Sequence, residues 1–362
     1  MQSILRPLRH FISLALRPTL DALWYGRHLP WNLRWRLLAF QPLHVLGNIS
    51  IIGPYVFFQP FTVDYIPVAL DREVRVLVFR PPENGNDKKA DTASSQAHAL
   101  RPLHITCHGG GFIGGYPESE AQFCTYLAAS TGAIIISLSY HLAPVHPFPA
   151  AIDDIDAAVA WLRKNAPSRY GADSSLITVS GSSAGGALML SATQAEALTT
   201  AMGQDTSFKA YVGFYPPIDL RPAPWEKPKP ADNIIQNDPL SWLQPLYNSY
   251  AGPRKADMSN SPRMNPCLAD AATLPKRMLI VIPRIDILPK ELFDFVERVK
   301  RDDDARGDTT RTLETLYLED MFHGFVEVPN WVVPWPKKKA AYDKAIALIR
   351  DAHREHGWVW EA

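Results

Sequence analysis

Leu176-Ile177-Thr178-Val179-Ser180-Gly181-Ser182-Ser183-Ala184-Gly185-Gly186-Ala187-Leu188-Met189-Leu190 is the stretch on which the fold turns. Its first five residues are mostly apolar or β-branched, as a buried strand requires, and its last four are good helix formers. Between them lie only small residues, so the chain can pass sharply from strand to helix. A serine at the centre of such a Gly-x-Ser-x-Gly turn is held on a strained backbone with its hydroxyl exposed. Ser183 occupies that centre, whereas Ser182 stands at the variable position and points elsewhere on the turn. Read alone the motif is equally a glycine-rich turn, so its weight depends on what surrounds it.

Outward from this stretch, short apolar runs alternate with helical periodicity. Residues 103–107, 133–138, 176–180, 211–215, 278–282 and 312–318 are predicted strands. Helical spacing is clearest over 150–164. There Ile152, Ile155, Val159 and Leu162 form one apolar stripe beneath Asp153, Asp154, Asp156, Arg163 and Lys164. Continuous apolar strands separated by helices predict an α/β fold whose mainly parallel sheet is covered on both faces. In that architecture catalytic groups sit in loops at the carboxyl ends of strands. Ahead of this region, 61–66 and 74–79 alternate like two antiparallel strands around a turn at Asp71-Arg72, and 83–101 reads as a solvated loop without chemistry. Residues 219–275 are proline-rich, carry Trp225 and Trp242 and show no strand pattern, so they read as an inserted cap. No repeat and no glycine-rich phosphate loop is present, so nucleotide binding has no support.

Hydrophobic residues at 46% and charged residues at 20% exclude a disordered or fibrous chain. Thirty-seven basic residues against 37 acidic ones leave no net charge, which excludes a partner held by bulk electrostatics, nucleic acid first among them. Cys107, Cys124 and Cys267 are an odd count without metal-type spacing. Neither a disulfide framework nor a zinc site is indicated, and a reducing compartment, the cytoplasm, is expected.

The zero balance hides an asymmetry. Residues 1–63 hold six arginines, no lysine and the single acid Asp21, a net +5. Ile4, Leu5, Leu8, Phe11, Ile12, Ala15 and Leu16 recur at helical spacing opposite Arg6, Arg9 and Arg17, an amphipathic pattern interrupted by Pro7 and Pro18. The 27 uncharged residues 37–63 have the length of a bilayer span, but Pro42, Pro54, Pro60, Gly47 and Gly53 predict that they break into shorter pieces. Residues 1–60 are therefore expected to fold over the main domain, 61–362, as part of its cap. Peripheral contact with a membrane surface is the other reading of the same segment.

A second glycine-rich turn stands at His108-Gly109-Gly110-Gly111-Phe112, again directly after a predicted strand. Consecutive glycines let backbone N–H groups converge on one point, where they can stabilise the negative oxygen of a tetrahedral intermediate. A serine also needs a base, and the base needs an acid to orient it. His323 is the candidate base because it follows the last predicted strand, and Asp286, just past the strand at 278–282, is the candidate acid. Asp320 and Glu319 rival it by their proximity to His323.

These motifs, with Tyr140-His141-Leu142-Ala143-Pro144 and Pro147-Phe148-Pro149-Ala150-Ala151-Ile152-Asp153-Asp154, resemble the hormone-sensitive-lipase-like family of α/β-hydrolases over about residues 61–350. The order Ser183, Asp286, His323 is that of an α/β-hydrolase triad. The resemblance implies that Gly110, Gly111 and Ala184 supply oxyanion-hole N–H groups, with His108 and Gly109 supporting the turn. Three positions depart from the family pattern. Ser182 replaces the usual Asp before the nucleophile, Arg284 replaces a Gly, and Lys290 replaces the usual second acid.

The expected activity is hydrolysis of a carboxylic ester of an apolar small molecule through an acyl-enzyme, with no metal or organic cofactor. The same machinery serves amide or lactone hydrolysis and acyl transfer, and family members without the catalytic histidine act as ligand receptors. Nine of the ten tryptophans lie outside the predicted sheet and helices, where they either line an apolar pocket or pack the cap on the domain. Oligomeric state is not encoded in these patterns.

Overall fold

The predicted strands become one eight-stranded sheet in a computed structural model that describes Leu16 and residues 19–20, 22–56, 58–82, 100–194, 207–228 and 241–361. The strands are β1 (Thr62–Ala69), β2 (Arg72–Phe79), β3 (Arg101–Cys107), β4 (Ile134–Leu138), β5 (Ala172–Ser182), β6 (Ala210–Phe214), β7 (Arg277–Ile285) and β8 (Thr312–Phe322). Their spatial order is β1-β2-β4-β3-β5-β6-β7-β8. The β1–β2 hairpin and the β2–β4 pair are antiparallel, and every other pairing is parallel. β4 and β6 are buried along their whole length, as strands covered on both faces must be, while the edge strand β8 alternates. The first turn is centred on Leu70-Asp71, one residue earlier than expected.

Among the described residues six longer helices frame the sheet: α1 (Trp31–Ile52), α2 (Ala121–Thr131), α3 (Ala150–Tyr170), α4 (Ser183–Ala192), α5 (Pro289–Arg306) and α6 (Trp335–Glu355). Apolar residues of α3, α4 and α5 form one core with the sheet, and those of α2 and α6 form a second. The predicted stripe on α3 is buried, but Asp154, placed on its polar side, is fully buried as well. It accepts the His141 backbone N–H at 2.9 Å and Nδ1–H at 2.6 Å and ion-pairs with Arg72 at 2.8 Å, so its charge is compensated.

The chain crosses from one side of β3 to the other between β4 and β5, which makes β3 and β5 neighbours at a topological switch point. Their register sets Cys107 opposite Gly181, so the glycine turns that follow both strands emerge side by side. At the other end of the sheet Ile285 pairs with Phe322, and the His323 N–H donates to the Ile285 carbonyl at 3.2 Å. Asp286 and His323 are thereby adjacent in space.

The N-terminal region departs from expectation. Residues 31–52 form one 22-residue helix that runs through Pro42 and Gly47, so no break occurs there, whereas the helix does end at Gly53-Pro54 as expected. A proline inside a helix costs about 3 kcal/mol, and here the inner face offsets it. Leu37, Gln41, His44 and Ile52 are buried, one stripe at helical spacing. With the following turn, Trp31–Tyr55 is long and apolar enough to cross a bilayer by length and composition. The amphipathic pattern upstream of Leu16 and most of the solvated loop (83–99) lie outside the described residues. Among the described residues of 219–275 only short helical turns occur, including Gln244–Asn248 and Lys255–Met258.

Candidate active site

Ser183 begins α4 directly after β5 with φ 46°, a left-handed conformation that costs a non-glycine residue about 1–3 kcal/mol. The flanking glycine makes this turn possible. A Cβ on Gly185 would lie 2.0 Å from the Cys107 carbonyl oxygen and 2.4 Å from that of His108, so only glycine lets the elbow pack against the end of β3. The Ser183 hydroxyl donates to His323 Nε2 at 2.8 Å, and His323 Nδ1–H donates to Asp286 Oδ2 at 2.8 Å. Asp286 is buried, and its other oxygen accepts the Ile287 N–H at 2.6 Å. The structure thus brings the three sequence candidates into one hydrogen-bonded chain. The rival Asp320 is exposed and paired with Lys337, and Glu319 is exposed.

Burial alone would lower the His323 pKa, but the charge and hydrogen bond of Asp286, with a contribution from Glu327, leave it raised above 6.5. His108 behaves oppositely. Burial lowers it to about 4, so it is neutral; its Nδ1–H donates to the Gly109 carbonyl at 2.7 Å and its ring stacks on Tyr140. His108 therefore braces the turn.

That turn curls through Gly110 (φ 122°), Gly111 (φ 62°) and Phe112 (φ 64°), and a Cβ on Gly110 would lie 2.1 Å from the Gly114 carbonyl. Residues from elsewhere cover it. The Tyr247 ring lies so close to Gly111 that a Cβ there would sit 2.5 Å from it, and Tyr250 stacks on Phe112 with centroids 4.1 Å apart. From α1, His44 approaches Gly114, stacks on Phe40 and packs at a tilt against Tyr116. Arg36 Nε donates to the Trp242 carbonyl at 3.0 Å, and Trp35 stacks on Trp242, which joins α1 to the insertion.

Sequence reasoning did not single out several groups at the site. The Tyr215 ring lies 4.8 Å from that of His323, centroid to centroid. Ser182 points away from Ser183 into the interior, where its hydroxyl meets Glu120 Oε1 and, at 2.7 Å, Glu327 Oε1. The Asp-to-Ser departure at 182 was the one available signal that something else occupies this space. Lys290 pairs at the surface with Asp294 at 2.7 Å. Of the tryptophans, Trp358 and Trp360 donate to the carbonyls of Thr131 and Ala129 at the end of α2, and Trp335 packs on Tyr126 and Tyr342, so these three pack the domain.

Residues 104–327 match the α/β-hydrolase-fold family. The chain is 26% identical over 229 residues to the carboxylic ester hydrolase LipN of Mycobacterium tuberculosis, covering 63% of this chain and 58% of that protein. It is 33% identical over 169 residues to human hormone-sensitive lipase, covering 46% of this chain and 15% of the human protein. A hyperthermophilic esterase from Pyrobaculum calidifontis superposes with a TM-score of 0.66 at 24% identity, covering 86% of this chain and 90% of the other, which is a likeness of fold.

Proposed function

The chain belongs to the α/β-hydrolase family that contains the hormone-sensitive-lipase-like esterases, and on that premise we propose that it hydrolyses carboxylic esters of apolar small molecules through an acyl-enzyme on Ser183. The observation that carries the reading is the continuous chain Ser183–His323–Asp286, with both hydrogen bonds at 2.8 Å. In this reading His323 takes the Ser183 proton as the hydroxyl attacks the acyl carbon. It then returns the proton to the leaving alcohol. Asp286 holds the proton on Nδ1 and stabilises the imidazolium. The N–H groups of Gly110, Gly111 and Ala184 receive the oxyanion, and water deacylates Ser183 by the same proton path. A ligand receptor would not require this hydrogen-bonded chain. The aromatic cover of Phe112, Tyr247 and Tyr250 supports an apolar acyl group.

In the same reading α1 and the 219–275 insertion form the cap, and the outer side of the N-terminal segment touches a membrane surface. Leu37, Gln41, His44 and Ile52 hold one stripe of α1 against the domain, which a spanning helix would have to give up. Trp24 and Trp31 are exposed in the stretch that carries Arg27, Arg34 and Arg36, and Leu46 and Phe58 are exposed in the uncharged run after it, the composition of an interfacial segment.

A fluorophosphonate should label the protein at Ser183 and not at Ser182. Ser183→Ala should abolish labelling and lower turnover on p-nitrophenyl esters by on the order of 10⁶ with folding intact. Folded protein that is not labelled, or is labelled at Ser182, overturns the assignment. An ester series of increasing acyl length, with and without anionic vesicles, tests the apolar preference and the membrane contact.

A further inference from the structure

Behind the Ser183 turn lies a polar cluster that the reaction scheme leaves unused. Ser182, Glu120 and Glu327 come from the end of β5, the turn before α2 and the loop after β8. Ser182 is fully buried, and its one hydroxyl lies within hydrogen-bonding distance of a carboxylate oxygen of each glutamate. Glu327 Oε1 also accepts the Gly109 N–H at 3.1 Å. A Cβ on Gly109 would lie 2.2 Å from that oxygen, so any side chain at the first glycine of the turn would displace the Glu327 carboxylate. The other Glu327 oxygen would be 3.7 Å from a Cβ on Gly324, which places the carboxylate against the residue next to His323.

Counting protons assigns the state of the cluster. The Ser182 hydroxyl has one hydrogen and two carboxyl neighbours, so it cannot donate to both. Two ionised carboxylates meeting at one buried hydroxyl repel strongly, and one of them must carry a proton. Glu327 has two donors, Gly109 N–H and Ser182, and faces His323, whereas Glu120 meets only Ser182 in this cluster. The order that satisfies every atom is Glu120 O–H to Ser182 Oγ, and Ser182 O–H to an ionised Glu327 that also receives Gly109 N–H.

We propose that Glu327 is a positioning residue for the ester hydrolysis inferred above: an ionised carboxylate, held by Ser182 and a protonated Glu120, that ties the Gly109 turn to the His323 loop and acts with Asp286 as a second counter-ion for the His323 imidazolium. The inference rests on Ser183 and His323 acting as proposed. Burial and the Glu327 charge raise Glu120 to about 8, against the opposing pull of its hydrogen bond with Ser182. Burial raises Glu327 as well, against the pull of Ser182, His323, Gly109 and Lys338. The thiols and phenols facing the pair are neutral. Burial holds Cys107 of β3 and Cys124 of α2 well above their ordinary range, as it does Tyr140, Tyr215 and Tyr342. The cations that face Glu327 are the His323 imidazolium, once formed, and Lys338; Lys338, buried on α6 with its Nζ on the Val328 carbonyl, is lowered to about 8 and needs its own control.

Glu327→Gln keeps an oxygen for Ser182 and Gly109 but removes the charge. His323 then loses an anion, its pKa falls, and the acid limb of kcat/KM should move down by about half a pH unit. In the same variant kcat should fall about tenfold with KM nearly unchanged, because the imidazolium forms only in the transition state. Glu120→Gln still donates to Ser182 and cannot ionise. The alkaline limb that begins as Glu120 loses its proton should therefore disappear in Glu120→Gln and persist in Lys338→Met. Fluorophosphonate titration counts competent sites in each variant, so misfolded protein does not enter kcat. An acid limb unmoved in Glu327→Gln refutes the counter-ion role while ester hydrolysis by the wild type still stands. An alkaline limb abolished by Lys338→Met and retained in Glu120→Gln refutes the proton assignment. Wild-type protein that takes up no fluorophosphonate overturns the premise together with the inference.

Discussion

Asp286→Asn is the substitution whose outcome the geometry specifies most closely. Asp286 uses both oxygens: Oδ1 accepts the Ile287 N–H at 2.6 Å and Oδ2 accepts Nδ1–H of His323 at 2.8 Å. An asparagine fits the same volume but has one oxygen. The Ile287 N–H is a fixed donor with the side chain held beside it, so the amide oxygen must face Ile287 and the NH₂ must face His323. His323 can accept that NH₂ only by giving up its Nδ1 proton, which puts the proton on Nε2, the nitrogen facing Ser183 at 2.8 Å. The base is then already protonated where it must accept. A wrong-tautomer triad loses about 10⁴ in turnover, equivalent to roughly 5.4 kcal/mol of transition-state stabilisation. The assay is kcat on a p-nitrophenyl ester for wild type, Asp286→Asn and Asp320→Asn, with thermal unfolding as the control for folding. Asp320→Asn should be mild, since that residue is exposed and paired with Lys337. A loss below tenfold for Asp286→Asn with a larger loss for Asp320→Asn would refute the reasoning and move the acid.

Three further outcomes follow from packing and titration. Gly185→Ala places a methyl 2.0 Å from the Cys107 backbone oxygen, which cannot move without shifting β3, so a stability loss of at least about 3 kcal/mol in urea unfolding is expected, and a variant of wild-type stability would sink the close-approach argument. Burial holds His44, His104, His108 and His353 at about 4, 3, 4 and 3, below their ordinary 6.5. These groups bind protons in the unfolded chain but not in the folded one, so their contribution to stability is complete above pH 6.5 and is lost as pH falls toward 4, with a limiting slope of about 5 kcal/mol per pH unit. The raised Glu120 opposes them by about 1 kcal/mol per pH unit, so urea midpoints should still fall across that window, and a flat profile would contradict the assignment. Deleting residues 1–60 removes the buried Leu37 and Ile52, each worth about 1.5–3 kcal/mol, so melting temperature and activity on long-chain esters should both drop, and unchanged values for both would reduce α1 to an anchor.

The site was legible where chemistry imposes a local demand on the chain. Gly185 had to be glycine because a carbonyl lies within 2.0 Å of any Cβ, and the strain at Ser183 needs small neighbours, so the strand-turn-helix pattern exposed the elbow without a structure. Asp286 and His323 were reachable because each directly follows a strand. α1 was misread because a proline signals a break only when nothing opposes it. The inner stripe of Leu37, Gln41, His44 and Ile52 docks on the domain and keeps the helix intact across Pro42, and docking is not a property of the segment itself.

Periodicity and glycine placement, which act over a few residues, were enough by themselves to determine the α/β architecture, the elbow, the His108–Phe112 turn and the order of the candidate triad. Only the tertiary structure decided which carboxylate reaches His323, that Asp154 is buried against His141, that Tyr247 and Tyr250 cover the glycine turn, and that Glu120 and Glu327 meet at Ser182. Those two glutamates lie 62 and 145 positions from Ser182 in sequence, and Glu327 lies 218 from Gly109. No local pattern links such residues. They meet because β3 and β5 are neighbours at the switch point and β8 closes the far edge of the sheet, and strand order is settled by how the whole chain packs.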